Sequence, residues 1–138
     1  MIAYVDASVL LRVVLRQREA LREWTAIETG VASALVEVEA LRTLDRLRLA
    51  AGIEDQELAL RRDAVYRLTE ALEIVEPTLP VLRRAAQPLP TALGTLDAIH
   101  LATAMLWREL RGQDLVMATH DRALGLAARA SGLRVVGL

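Results

Sequence analysis

Short apolar runs and longer stretches of helical periodicity alternate along this chain. Apolar runs at residues 2–5, 31–33, 115–119 and 133–137 are too brief for helices and read as strands, with a weaker one at 73–75. Between them, apolar residues recur at three- and four-residue spacing. The spacing predicts helices at 7 to about 15, 35–50, 54–72, 79–86, 95–110 and 122–130, with a second amphipathic piece continuing the first helix to about residue 25. Gly52, Gly112 and Gly132 stand just beyond three of these segments, where helices stop. Strands alternating with helices predict a three-layer α/β/α fold around a central, mainly parallel sheet of four to five strands. Residues 87–94, with Pro88 and Pro90, read as a loop within one domain spanning 1–138 rather than as a linker.

Length and composition support that picture and narrow the chemistry. A chain of 138 residues, 54% hydrophobic, has the material for a dense core and buries roughly two thirds of its unfolded surface. No apolar run approaches 18 residues, so no membrane span is expected. The N-terminus reads straight into a strand, without signal- or transit-peptide character. Cysteine is absent, which excludes disulfides, thiolate metal sites and thiol nucleophiles and is compatible with a cytoplasmic protein. The net charge is −1, so there is no global basic footprint for nucleic acid. All 17 basic residues are arginine. Arginine favours bidentate contact with phosphate, and the missing lysine excludes a Walker A site and a receiver-type site.

Four acids carry the candidate chemistry. Asp6 follows the first strand, Asp121 follows the fourth, Glu39 lies beyond the second, and Asp97 opens the helix Leu96-Asp97-Ala98-Ile99-His100-Leu101-Ala102. Ligands of open parallel sheets bind at the carboxyl ends of strands, so acids at those ends should converge. At about 6 Å and an effective dielectric of about 20, each carboxylate pair repels by roughly 3 kcal/mol. Protons, arginines or a cation must offset that, and an all-oxygen set suits Mg²⁺ or Mn²⁺. Each acid also has a structural alternative. Asp6 and Asp121 are placed as helix N-caps, and Asp97 lies in a first turn that favours negative charge. Against that stands the apolar spacing of Ala98, Leu101, Ala102, Met105 and Leu106, which marks a buried helix where an unpaired charge is unfavourable.

The same residues bear a family resemblance. Met1-Ile2-Ala3-Tyr4-Val5-Asp6-Ala7-Ser8 resembles the opening of PIN-domain ribonucleases, VapC-type toxins in particular. Ser33 with Val38-Glu39-Ala40-Leu41-Arg42 resembles their second motif, Leu96-Asp97-Ala98-Ile99-His100-Leu101-Ala102-Thr103-Ala104 their third, and Ala118-Thr119-His120-Asp121-Arg122 their fourth. The resemblance spans essentially the whole chain. It implies an Mg²⁺- or Mn²⁺-dependent endoribonuclease leaving 5′-phosphate and 3′-hydroxyl ends, an RNA substrate, a homodimer and a VapB-type antitoxin. Asp6, Asp97 and Asp121 would hold the metal, with Glu39 acting directly or through water.

Several positions stay open at this level. Glu37 and Glu39 are two residues apart and face opposite sides of their helix, so only one can point at the site. Glu39 shares its stripe with Arg42 and Arg46 and is the choice. Ser8 and Thr119 read equally as holders of a metal-bound water or as local caps. His100 is expected to be a packed, hydrogen-bonded side chain rather than a ligand or base, and His120 a surface residue. Arg12, Arg42, Arg46 and Arg122 are candidates for RNA phosphates or for plain solvated positions. Two other functions compete. One is a catalytically silent binding module on the same fold. The other is a haloacid-dehalogenase-like phosphatase, which lacks here both its second aspartate, since position 8 is serine, and its lysine.

Overall fold

The computed structural model describes residues 1–138. Five strands, β1 (Ile2–Val5), β2 (Thr29–Ser33), β3 (Glu73–Val75), β4 (Val116–Ala118) and β5 (Arg134–Val136), form one sheet in the order β3-β2-β1-β4-β5. Every pairing is parallel. The expected count of four to five strands resolves to five, and "mainly parallel" to wholly parallel.

Six α-helices cover the sheet: α1 (Ala7–Val14), α2 (Leu35–Ala51), α3 (Asp55–Glu70), α4 (Leu79–Ala85), α5 (Thr95–Arg111) and α6 (Arg122–Ala130). The two-residue period of the strands divides the core. Ala3, Val5, Ala32 and Ala118 pack with Val9 and Leu10 of α1, with Val36, Ala40 and Leu44 of α2, and with Val65 of α3. On the other face, Tyr4, Val31 and Met117 meet Leu101, Ala104 and Trp107 of α5, and Leu124, Ala127 and Ala128 of α6. Helix α4 packs on α5. Gly52 and Gly112 end α2 and α5 in the left-handed conformation, as their positions predict.

The expected amphipathic helix up to residue 25 does not form. After Val14 the chain turns, and only a short 3-10 segment appears at Arg22–Ala26. Between residues 16 and 27 the apolar anchors Leu21, Trp24 and Ile27 recur every third residue, and all three pack on the first core cluster. Three-residue spacing is the repeat of a 3-10 turn, not of an α-helix. The charged residues Arg16, Arg18, Glu19, Arg22 and Glu23 supply no second apolar row to sustain an α-helix.

Candidate active site

From β1 the chain runs outward to β2 and β3, whereas β4 and β5 lie on the other side of β1. The carboxyl ends of β1 and β4 therefore flank the point where strand order reverses, which is where open α/β sheets leave a crevice. Val5 is in register with Ala118, so Asp6 and Thr119 leave the sheet side by side. Asp6 and Asp121 do stand at strand-to-helix turns, as expected. Glu39 and Asp97 do not: Glu39 lies in the second turn of α2, and Asp97 is the third residue of α5, which follows a loop rather than a strand.

Asp6 is buried and caps α1, accepting the Val9 amide at 3.2 Å. Its Oδ1 also accepts the Ser8 hydroxyl at 2.6 Å, and its Oδ2 the Thr119 hydroxyl at 2.7 Å. Ser8 Oγ in turn accepts the His120 amide at 2.9 Å, and Thr119 Oγ1 the Asp121 amide at 2.9 Å. Thr119 thus acts as a local cap, whereas Ser8 reaches across to the turn after β4, and both hydroxyls lock the Asp6 carboxylate. Burial raises the Asp6 carboxyl above its ordinary range; the Ser8, Thr119 and Val9 hydrogen bonds oppose that.

Asp121 caps α6 through the Leu124 amide at 2.9 Å. The capping alternative is therefore real for both aspartates, and capping leaves them at the carboxyl ends of β1 and β4. Asp97 differs. No hydrogen bond holds its carboxylate, and burial first, then the charge of Asp121, push it above its ordinary range. Asp6 and Glu39 add to the push, and His100 opposes it. All four predicted acids are thus within electrostatic reach of one another, with Asp97 as the acid that lacks a donor.

Glu39 faces this centre and Glu37 does not. Glu37 accepts the Thr69 hydroxyl of α3 at 3.1 Å, whereas Glu39 is hydrogen-bonded to Nε2 of His100. His100 is buried, as expected of a packed histidine, and its Nδ1 lies 2.7 Å from the Tyr4 hydroxyl. That hydroxyl also accepts the Ser33 amide at 3.1 Å. Tyr4 was not among the sequence candidates. Its only sequence signal is a phenol on an otherwise apolar central strand, where a buried hydroxyl requires a partner.

His120 is not a surface residue. Its ring is half-buried, and Nδ1 donates to the Gly137 carbonyl at 2.6 Å. Gly137 has φ +99°, and a Cβ there would lie 2.6 Å from the Thr119 carbonyl oxygen. Gly137→Ala should therefore displace the Thr119–Asp121 turn. A drop of roughly 2 kcal/mol or more in unfolding free energy by denaturant titration is expected; an unchanged midpoint would show that the turn tolerates the methyl.

The largest cavity, about 620 Å³, is lined by Leu82, Leu89, Leu93 and Ile99 and touches none of the acids. A smaller one of about 400 Å³ borders Ser8, Glu39, Arg42, Arg46 and the half-exposed Leu96. A third, about 490 Å³ and polar, is lined by Arg12, Arg18, Arg22 and His120, with Glu19 and Glu23 also in its wall. Arg42 and Arg46 thus share a cavity with Glu39, and Arg12 shares one with His120.

A profile of the PIN domain matches residues 3–130, nearly the whole chain. The chain belongs to the PIN-domain family. It is 34% identical over 137 residues to Ribonuclease VapC46 of Mycobacterium tuberculosis, covering 96% of this chain and 95% of that protein. Two solved structures share the fold of this PIN domain. One is a toxin–antitoxin complex from Klebsiella pneumoniae, with a TM-score of 0.68 at 18% identity over 99% of this chain and 96% of that one. The other is FitAB bound to a DNA fragment, with a TM-score of 0.72 at 17% identity over 98% and 93%.

The donor chemistry of this PIN domain suits a hard divalent cation: four carboxylates, neighbouring hydroxyls and no sulfur ligand. As the side chains stand, no three of the acids or histidines are gathered closely enough to enclose an ion. Asp6 and Glu39 are held by hydrogen bonds, whereas Asp97 has none to give up, so Asp97 is the acid free to turn toward a cation.

Proposed function

We propose that this protein is the toxin of a toxin–antitoxin pair, an endoribonuclease that hydrolyses RNA phosphodiesters with the help of Mg²⁺ or Mn²⁺ held by Asp6, Asp97, Asp121 and Glu39. The observation that carries the proposal is the convergence of these four acids at the sheet's reversal point, in a chain 34% identical along its length to Ribonuclease VapC46. When bound, the ion would supply Lewis acidity toward the phosphate and lower the pKa of an attacking water. The chain's own part is orientation. Ser8 and Thr119 keep Asp6 at one angle, and Asp121 is pinned by its cap. Asp97 turns its carboxylate into the centre. Arg42 and Arg46 on one side and Arg12 on the other are suited to the flanking phosphates of an RNA strand.

The reading extends to the molecule's associations. A VapB-type antitoxin partner is in keeping with the fold neighbour that is itself a toxin–antitoxin complex. Homodimerisation is what the family resemblance implies, and a cytoplasmic location is part of the same proposal; no helix is long and apolar enough to cross a membrane. The whole of residues 1–138 is taken as one PIN domain.

A silent binding module on the same fold is the second reading, and the absence of a preformed three-ligand cluster favours it. The two part on one experiment with purified protein and single-stranded or loop RNA. Cleavage with Mg²⁺ or Mn²⁺ that stops in excess EDTA is the expected result. Undiminished cleavage in EDTA would overturn the metal assignment. No cleavage and no Mn²⁺ binding in titration would favour the silent module.

A further inference from the structure

Tyr4, His100 and Glu39 come from β1, α5 and α2, three elements that meet only in the folded protein, and they form one hydrogen-bonded chain at the edge of the site. A carboxylate only accepts, so His100 Nε2 carries the proton that faces Glu39. In the neutral ring Nδ1 is then an acceptor, and the Tyr4 hydroxyl is its donor at 2.7 Å. The Tyr4 oxygen meanwhile accepts the Ser33 amide, which ties the chain to the end of β2. Both ring nitrogens are therefore occupied, and His100 is neither a free metal ligand nor a free base. Burial holds the Tyr4 phenol far above its ordinary pKa, so it stays a neutral donor. His100 itself is 1% exposed and has no room to turn away.

One consequence concerns Glu39. It sits on a helix surface and is the only one of the four acids that accepts no backbone amide cap while accepting a side-chain donor from a buried residue. The Nε2–H occupies Oε1 and leaves Oε2 without a hydrogen-bond partner. It also places a donor beside a carboxylate within electrostatic reach of Asp97.

We propose that His100, backed by Tyr4, is a positioning residue that sets the direction of Glu39 and thereby the affinity of the site for its divalent ion. The inference rests on the assignment of Glu39 to the metal-holding set. Partners that orient a metal's ligands typically change metal affinity or activity by about 10- to 100-fold when removed.

Two substitutions divide the chain at its middle. His100→Gln carries an amide N–H to about where Nε2 stands, so it keeps the donor for Glu39. His100→Asn keeps a polar group near Nδ1 for Tyr4 and loses the reach to Glu39. Mn²⁺ affinity is measured by calorimetry on the full chain, and each variant is first melted in EDTA to establish that it is folded. His100→Asn is expected to weaken Mn²⁺ binding by about tenfold or more and to lower kcat, with little change in KM for RNA. His100→Gln should recover most of both. In a Glu39→Gln background, His100→Asn should add no further loss of Mn²⁺ affinity, because the group it orients is gone. A purely structural role would lower the EDTA melting temperature of both variants alike and leave Mn²⁺ affinity at the wild-type value. That result, or equal losses with and without Glu39, overturns the inference. Tyr4→Phe gives a second route: like His100→Gln it keeps the donor facing Glu39 and loses only the Tyr4 link. Its loss of Mn²⁺ affinity should therefore match that of His100→Gln and fall well short of the His100→Asn loss; a folded Tyr4→Phe protein that loses as much as His100→Asn counts against the inference. A wild-type protein that binds no Mn²⁺ overturns the metal assignment itself, and the inference with it; a wild type that binds Mn²⁺ beside an unaffected His100→Asn overturns the inference alone.

Discussion

Asp97→Asn is expected to abolish RNA cleavage and yet to make the metal-free protein more stable than the wild type. Asparagine keeps the size of the side chain, removes one negative charge from a half-buried position facing Asp121, Asp6 and Glu39, and adds a donor where the carboxylate has none. Losing the favourable first-turn position offsets part of the gain, by about 0.3–1 kcal/mol. Repulsion among several neighbours is larger, and after allowing for solvent screening the net gain should be roughly 1 kcal/mol, or about 3 °C in melting temperature. The sign with pH follows from the direction of the shift. The folded-state pKa of Asp97 is raised, so native protein keeps a proton that the unfolded chain releases above about 4. Wild-type stability without metal therefore falls as pH rises through the folded-state value, and the advantage of the Asp97→Asn variant opens over that window and closes below about pH 4. Mn²⁺ should reverse the ranking at neutral pH, because an ion at 100 times its Kd stabilises the wild type by about 2.7 kcal/mol and the variant much less. Growth arrest on expression without an antitoxin should disappear in the same variant. Thermal melts in EDTA and in Mn²⁺ at several pH values check this. A variant that melts lower in EDTA, gains as much from Mn²⁺ and remains equally toxic would make Asp97 a first-turn residue with no part in the site.

Glu39→Gln should lower kcat/KM by on the order of 100-fold, the scale seen when one charge-stabilising group is removed from an active site, while Glu37→Gln should change it by less than about threefold. The two positions are two residues apart and chemically identical, so composition and local propensity are matched between them. What separates them is direction: Glu37 meets Thr69 of α3, and Glu39 meets His100. A glutamine at 37 can still accept the Thr69 hydroxyl, so its fold should be undisturbed. Cleavage kinetics on purified, folded variants decide the matter. The reverse order would place the catalytic centre on the other side of α2, and equal losses would show that side-chain direction on α2 does not set activity.

Much of this protein was legible in the order of its residues. Short apolar runs and 3.6-residue periodicity located all five strands and all six α-helices to within a few residues, because burial of a strand's two faces or of a helix's one face imposes the pattern directly. The helix-to-strand alternation carried the parallel three-layer architecture, and the four candidate acids stood out by their places near strand ends and in motifs resembling those of PIN domains. The region after Val14 failed for the same kind of reason. With Leu21, Trp24 and Ile27 as its anchors beyond Leu15, the chain satisfies the core by a 3-10 turn, and residue counts without three-dimensional partners do not distinguish that from a frayed helix.

The tertiary structure decided what spacing could not. Asp6 and Thr119 are 113 positions apart and become hydrogen-bonded neighbours only because β1 and β4 pair in register. For Tyr4 the sequence signalled only that a buried hydroxyl needs a partner; the structure supplies the partners, His100 and Ser33. The role of His100 likewise depends on which groups occupy its two nitrogens, one from β1 and one from α2. Periodicity is a property of one segment against an averaged environment, so it reports which face is buried. A hydrogen bond needs both partners within about 3 Å and correctly aimed, and that condition exists only once separate segments have been brought together by the sheet.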